Sequence, residues 1–309
     1  MKKSLLIHPD ELSRKWIDRM AGLGVTTLTL HPTGGKNADQ SLADLLRQLE
    51  DPAYRALIDY AIDGAGLQVE YALHAASYLL PREMLDTHPD WFRMDGAGER
   101  VREVNFCVSN PEALDYYCAR AVELAKRLYR SAPIYYFWMD DVQSSCCHCP
   151  LCKQYRESDQ QLLVMNAVVT ALRKEIPEAR LAHLAYLRTL TPPKKIRPAE
   201  GIFLEFAPIE RDFSLPAWLT SPEYTQNILD LLDYFGRDHA RVLEYWFDNS
   251  LFSRWKKPPK QYTPNNALIR DDIRYYRELG FDDIASFACF LGDDYEALWG
   301  EPDVHAFAD

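Results

Sequence analysis

Apolar residues in this chain gather in short runs of strand length, each closed by polar residues and separated from the next by a stretch of helical spacing. At 4–8 a short apolar strand leads into Leu12, Trp16, Ile17 and Met20, which share one helix face. Gly22 and Gly24 end that helix, and the β-branched run at 25–31 suits a pleated strand. The chain therefore begins β-α-β, which makes its sheet parallel. The alternation persists, with a helix over 41–65, a strand at 67–74, a long excursion over 75–108 and a helix over 111–129. A fourth strand runs through Trp138 into Asp141, a helix follows over 159–174, and further strands are expected at 180–186, 201–207, 241–247 and 283–289.

Eight strands with helices between them in 309 residues predict an α/β fold, a single (β/α)8 barrel spanning 1–309. The segments 75–108 and 248–268 are expected as long rim loops. A doubly wound open sheet is the rival architecture, but no Gly-x-Gly-x-x-Gly turn follows any strand. No repeat or low-complexity linker divides the chain.

Composition narrows the function classes. A hydrophobic content of 47% supplies a core without disulfide staples, and a net charge of -11 argues against a nucleic-acid partner. No apolar run approaches the roughly 18 residues that span a bilayer. The apolar start gives way at once to His8, Pro9, Asp10 and Glu11, too soon for a signal peptide, so a cytoplasmic protein without a membrane partner is expected. Oligomeric state is not legible.

Chemistry in a barrel sits at the C-terminal ends of the strands. Those ends carry His8, His31, His74, Asp140, Asp141, Tyr186, Glu205, Tyr245, Asp248 and Asn249. The adjacent acids Asp140 and Asp141 are the sharpest element: two carboxyls that cannot both ionise cheaply divide into a proton donor and a charged partner, as glycoside hydrolysis requires. A helix cap is the bland alternative. Trp138, Tyr136, Tyr186, Tyr245, Trp246, Phe252 and Trp255 offer flat rings suited to pyranosides, although many of them belong to the core. A carbohydrate substrate follows as the expectation.

Two other groupings compete. Cys149-x-x-Cys152 has the spacing of a zinc knuckle, with Cys146, Cys147 or His148 as added ligands and Cys107 as a further candidate to complete a thiolate set. Cys146, Cys147, Cys149 and Cys152 are the primary candidates for a structural zinc, with packed free thiols or a redox pair as alternatives. No cofactor is expected for catalysis. His8, His31, His74 and His183, with Asp140 or Asp248, define an alternative metal-dependent hydrolase, although no His-x-His occurs. A carbohydrate-binding barrel without catalysis is the other alternative.

Several motifs carry a resemblance that covers nearly the whole chain. Tyr71-Ala72-Leu73-His74-Ala75, Tyr78-Leu79-Leu80-Pro81, His88-Pro89-Asp90-Trp91-Phe92 and Asn105-Phe106-Cys107 precede the acid pair with Cys147-x-Cys149-x-x-Cys152, and Phe206-Ala207-Pro208-Ile209-Glu210-Arg211 follows. Together they resemble an uncharacterised bacterial barrel family described as glycoside-hydrolase-like and known only as a domain of unknown function. The resemblance implies a (β/α)8 barrel akin to the hexosaminidase and α-glucuronidase clans, acting on carbohydrate. Substrate-binding candidates are then His8, His31, His74, Trp138, Tyr186, Arg211, Tyr245, Asp248 and Asn249. More distantly, the acid pair is similar to that of the O-GlcNAc hydrolases, whose substrate acetamido group is the nucleophile. That similarity implies that Asp140 orients the acetamido group and Asp141 protonates the leaving oxygen. For a sugar without one, Glu205 is the candidate nucleophile or base.

Overall fold

The computed structural model describes residues 2–142 and 146–308. Eight parallel strands close a barrel in sequence order: β1 (Lys2–Ile7), β2 (Thr27–Leu30), β3 (Gln68–His74), β4 (Ile134–Trp138), β5 (Arg180–Ala185), β6 (Ile202–Phe206), β7 (Arg241–Glu244) and β8 (Asp283–Phe287). The seam closes with Leu6 opposite Thr29 on one side and Phe287 on the other.

Around this wall run α1 (Arg14–Gly22), α2 (Ala38–Gln48), α3 (Pro52–Asp59), α4 (Ala76–Leu79), α5 (Pro111–Arg127), α6 (Glu157–Glu175), α7 (Pro222–Phe235), α8 (Asn249–Phe252), α9 (Asn266–Leu279) and α10 (Asp293–Trp299). The helix expected over 41–65 is two helices, because Pro52 has no N–H to continue α2 and Asp51 instead caps α3 by accepting from Ala53 N. Similarly, α1 starts only at Arg14, where the Ser13 side chain accepts from Trp16 N. The strand at 241–247 stops at Glu244, and β4 ends at Trp138, short of both aspartates. The expected rim loops hold α4 and two 3-10 turns in one case and α8 in the other.

Strand periodicity divides two cores. Leu5, Ile7, Leu28, Leu30, Val69, Tyr71 and Leu73 pack outward against the helices. Leu6, Ala72, Tyr136, Trp138, Phe203, Leu243, Ala285 and Phe287 fill the barrel. Towards the N-terminal ends the filling turns ionic. Lys2 Nζ lies 2.5 Å from Glu70 Oε1 and 3.3 Å from Asp283 Oδ2, while Arg241 reaches Glu70 Oε2 at 3.3 Å and Glu205 Oε1 at 3.5 Å. The Arg241 guanidinium also lies over the Tyr136 ring, 4.4 Å from its centroid. These mutually paired charges plug the bottom of the barrel and leave its C-terminal mouth open.

Candidate functional site

The mouth holds a cavity of about 360 Å³, walled by residues that continue the inward face of each strand by one more step. His8 follows Leu6, His31 follows Thr29, His74 follows Ala72, and Tyr245 follows Leu243. The three histidines form a ladder from strand to strand. His8 Nδ1 bonds the His31 carbonyl at 2.8 Å, His31 Nδ1 the Ala72 carbonyl at 2.9 Å, and His74 Nδ1 the Met139 carbonyl at 3.3 Å. A carbonyl only accepts, so each Nδ1 carries the hydrogen, and the Nε2 of a neutral ring keeps its lone pair for a ligand. Burial foremost, then His74 and His8, holds the His31 imidazole well below its ordinary pKa, so it stays neutral. Gly34 lets the rim approach this ladder: a Cβ there would lie 2.5 Å from His74 Cδ2.

The two aspartates after β4 part company. Asp140 turns to the rim loop, where it pairs with Arg82, accepts from Asn105 N at 2.5 Å and donates its own N–H to Asn105 Oδ1 at 2.9 Å. Asp141 faces the cavity and accepts a hydrogen bond from the Tyr186 hydroxyl at 2.9 Å. The two side chains therefore reach different partners: both border a small pocket beside β4, but only Asp141 lines the main cavity. The second carboxyl in the cavity wall is Asp248. Its Oδ1 accepts from Ser250 N, Ser250 Oγ and Leu251 N at 3.1, 2.5 and 3.2 Å. Burial, the largest influence, raises its pKa, and these bonds pull it back.

Aromatic rings complete the wall. Tyr245 stacks on Phe287 with centroids 5.1 Å apart, Trp138 lies against His31 and His74, and Trp255 stands at the lip, 65% exposed. Trp138 Nε1 donates to Glu205 Oε2 at 2.7 Å, which puts Glu205 fully buried beneath that ring and outside the cavity. Burial, opposed by Arg241, pushes the Glu205 carboxyl up to about 7. Glu205 is thus a support for Trp138 and a member of the ionic plug.

Three further candidates lie elsewhere. Arg211 is buried in ion pairs with Glu244 at 2.9 Å and Asp272 at 2.6 Å, between the barrel wall and α9, and cannot meet a ligand in the cavity. Asn249 donates to the carbonyls of Lys260 at 2.9 Å and Phe290 at 3.3 Å and thereby ties down the second rim loop. His183 points outward from β5 and stacks on Phe235, so it does not join the other histidines. Among the described residues, the group whose ligand atoms stand at metal-holding separations is Cys107, Cys147, Cys149 and Cys152. Cys146, a primary candidate from spacing, is outside that set, and Cys107 replaces it because the first rim loop folds across the segment after β4. Sequence reasoning missed Arg82, Phe287 and Ser250; only Phe287 had a signal, its inward position on β8.

The fold and cavity define a (β/α)8 barrel with a ligand-sized polar and aromatic pocket at its C-terminal mouth. The chain belongs to the family described as Domain of unknown function (DUF4838), which matches residues 47–288. No curated protein matches it significantly. Among solved structures, it is similar to a β-galactosidase from the psychrophilic Marinomonas ef1, at 12% identity and a TM-score of 0.52, over 93% of this chain and 54% of the other. A GH5-4 broad specificity endoglucanase from an uncultured bacterium aligns at 13% identity and a TM-score of 0.50, over 97% and 83% of the two chains. At such identities the likeness establishes the fold. The chain spans about half the length of that galactosidase. Among the described residues no helix is long and apolar enough to cross a membrane.

Proposed function

We propose that this barrel is a glycoside hydrolase in which Asp141 is the acid/base and Asp248 the second carboxyl facing the sugar. The observation that carries the reading is the company Asp141 keeps: one cavity joins it to Asp248, to His8, His74 and the neutral His31 ring, and to the Trp138, Tyr245 and Trp255 rings. Sugar hydroxyls are donors that suit neutral imidazoles and carboxylates, and the apolar sugar faces suit the rings. Tyr186 orients Asp141 through its hydroxyl, so the acid meets a leaving oxygen in one geometry. Asp140, held by Arg82 and Asn105, fixes the backbone that presents Asp141 and is a positioning residue.

The test is hydrolysis of a panel of aryl glycosides, comprising N-acetylglucosaminides, N-acetylgalactosaminides, glucuronides and plain hexosides, by wild type beside Asp141→Asn. Turnover confined to N-acetyl sugars and lost in the variant assigns the attack to the substrate's acetamido group. Turnover of plain hexosides assigns it to Asp248. Sugar binding in calorimetry with no turnover of any glycoside would overturn the enzymatic reading in favour of a binding barrel.

A further inference from the structure

Cys107, Cys147, Cys149 and Cys152 come from two segments far apart in sequence, and all four are buried and free of disulfides. Their sulfurs lie within 4.8 Å of one another, with Cys107 Sγ 3.7 Å from Cys149 Sγ and 3.8 Å from Cys152 Sγ. A disulfide would need sulfurs about 2.05 Å apart. A tetrahedron of thiolates around zinc, with Zn–S near 2.3 Å, has edges of about 3.8 Å.

The surroundings suit a charged thiolate cluster. Met94 N–H donates to Cys147 Sγ at 3.3 Å, Ser109 Oγ lies 3.1 Å from Cys152 Sγ, and the positive charge of Arg100 faces Cys107, Cys147 and Cys149. The backbone is also held in a ligating shape. Cys152 N and Lys153 N both donate to the Cys149 carbonyl, at 3.0 and 2.9 Å, and the Gln160 amide bonds Cys147 N at 2.8 Å and the Cys147 carbonyl at 3.0 Å. Burying four close sulfurs among such donors has little purpose for neutral thiols.

We propose that these four cysteines bind one structural Zn²⁺, which clamps the first rim loop to the segment after β4. Binding releases four thiol protons and leaves a Zn(Cys)₄ unit of charge about −2, offset in part by Arg100 and the N–H donors. Four protein ligands close the coordination sphere, so the ion holds structure and does no chemistry. What it holds is specific: Asn105, two residues from Cys107, exchanges hydrogen bonds with Asp140, the neighbour of Asp141. The clamp stands independently of the glycosidase reading.

The test is metal analysis of the full chain purified with reductant and reconstituted with Zn²⁺. About one zinc per chain is expected in wild type, and Cys146→Ser and Cys118→Ser should both retain it, whereas Cys107→Ser should lose it with a drop in Tm of roughly 5 °C or more. Should Cys107→Ser fail to fold, Co²⁺ reconstitution of wild type decides: thiolate-to-cobalt charge-transfer and tetrahedral d–d bands support the site, and their absence overturns it. Wild type without bound zinc, iron in its place, or zinc lost from Cys146→Ser but kept by Cys107→Ser would each overturn the assignment.

Discussion

The two ends of this barrel are built from the same strands and both carry charged or titratable side chains, yet they do opposite things with them. At the bottom, Lys2, Glu70, Glu205, Arg241 and Asp283 face one another as closed ion pairs, sealed from any ligand even though Arg241 Nε and Nη2 and Glu205 Oε1 make no hydrogen bond among the described residues. At the mouth, among the described residues, His8, His31 and His74 spend only Nδ1 on backbone carbonyls, and Asp141 has one tyrosine partner. A polar group anchored on one side and open on the other is available to a ligand. Burial and charge by themselves do not distinguish structure from function; the direction of the remaining bonding capacity does.

The contrast can be broken most forcefully at the bottom. Arg241→Met leaves Glu70 and Asp283 to Lys2 alone and strips Glu205 of its cation deep in the barrel, which should cost about 3–5 kcal/mol in urea unfolding. A loss below about 1 kcal/mol would mean that the plug is hydrated or self-compensating. At the mouth the pattern should invert. Asp141→Asn should lower glycoside turnover at least about a hundredfold, the low end for a general acid, while its unfolding midpoint stays close to wild type. Equal losses of stability in both variants would dissolve the distinction between the two ends.

The sequence makes the barrel legible because strand periodicity and strand-end polarity are local properties: the histidine ladder lies where the inward alternation of β1, β2 and β3 runs out. Illegible parts depend on where a loop lands. Asp140 and Asp141 look alike in sequence and differ only because Arg82 and Asn105 reach one of them. Asn249 reads as a strand-end polar residue and Arg211 as part of the motif after β6, but the Lys260 and Phe290 carbonyls occupy the first and Glu244 and Asp272 the second. Cys107 enters the sulfur cluster in place of Cys146 for the same reason. Tertiary partners decide such cases, and spacing along the chain does not encode them.

A subtler test uses pH. Between the ordinary carboxylate range and about 7, folded protein keeps a proton on Glu205 that the unfolded chain has released. Stability therefore falls as pH rises through that window and levels off above it. Glu205→Gln keeps the shape, leaves Trp138 Nε1 an amide oxygen to bond, and cannot ionise. It should flatten the decline by on the order of 1–2 kcal/mol between pH 5 and 8. An unchanged profile of unfolding midpoint against pH would show that another group carries the proton.

The smallest expected effect is the most local. Gly34 has ordinary extended backbone angles, φ −80° and ψ −155°, which alanine adopts without strain, so Gly34→Ala tests close approach alone. The added methyl would meet His74 Cδ2 at 2.5 Å and Nε2 at 2.8 Å, and the ring must swing away from the cavity wall. The consequence belongs to ligand binding: KM should rise about three- to tenfold, equivalent to less than about 1.4 kcal/mol, with kcat and the unfolding midpoint close to wild type. If kcat falls and KM does not, His74 meets the transition state more strongly than the ground state, and the ladder belongs to the catalytic machinery. If neither changes, His74 has no contact with substrate, and the ladder serves the mouth as the ionic plug serves the bottom.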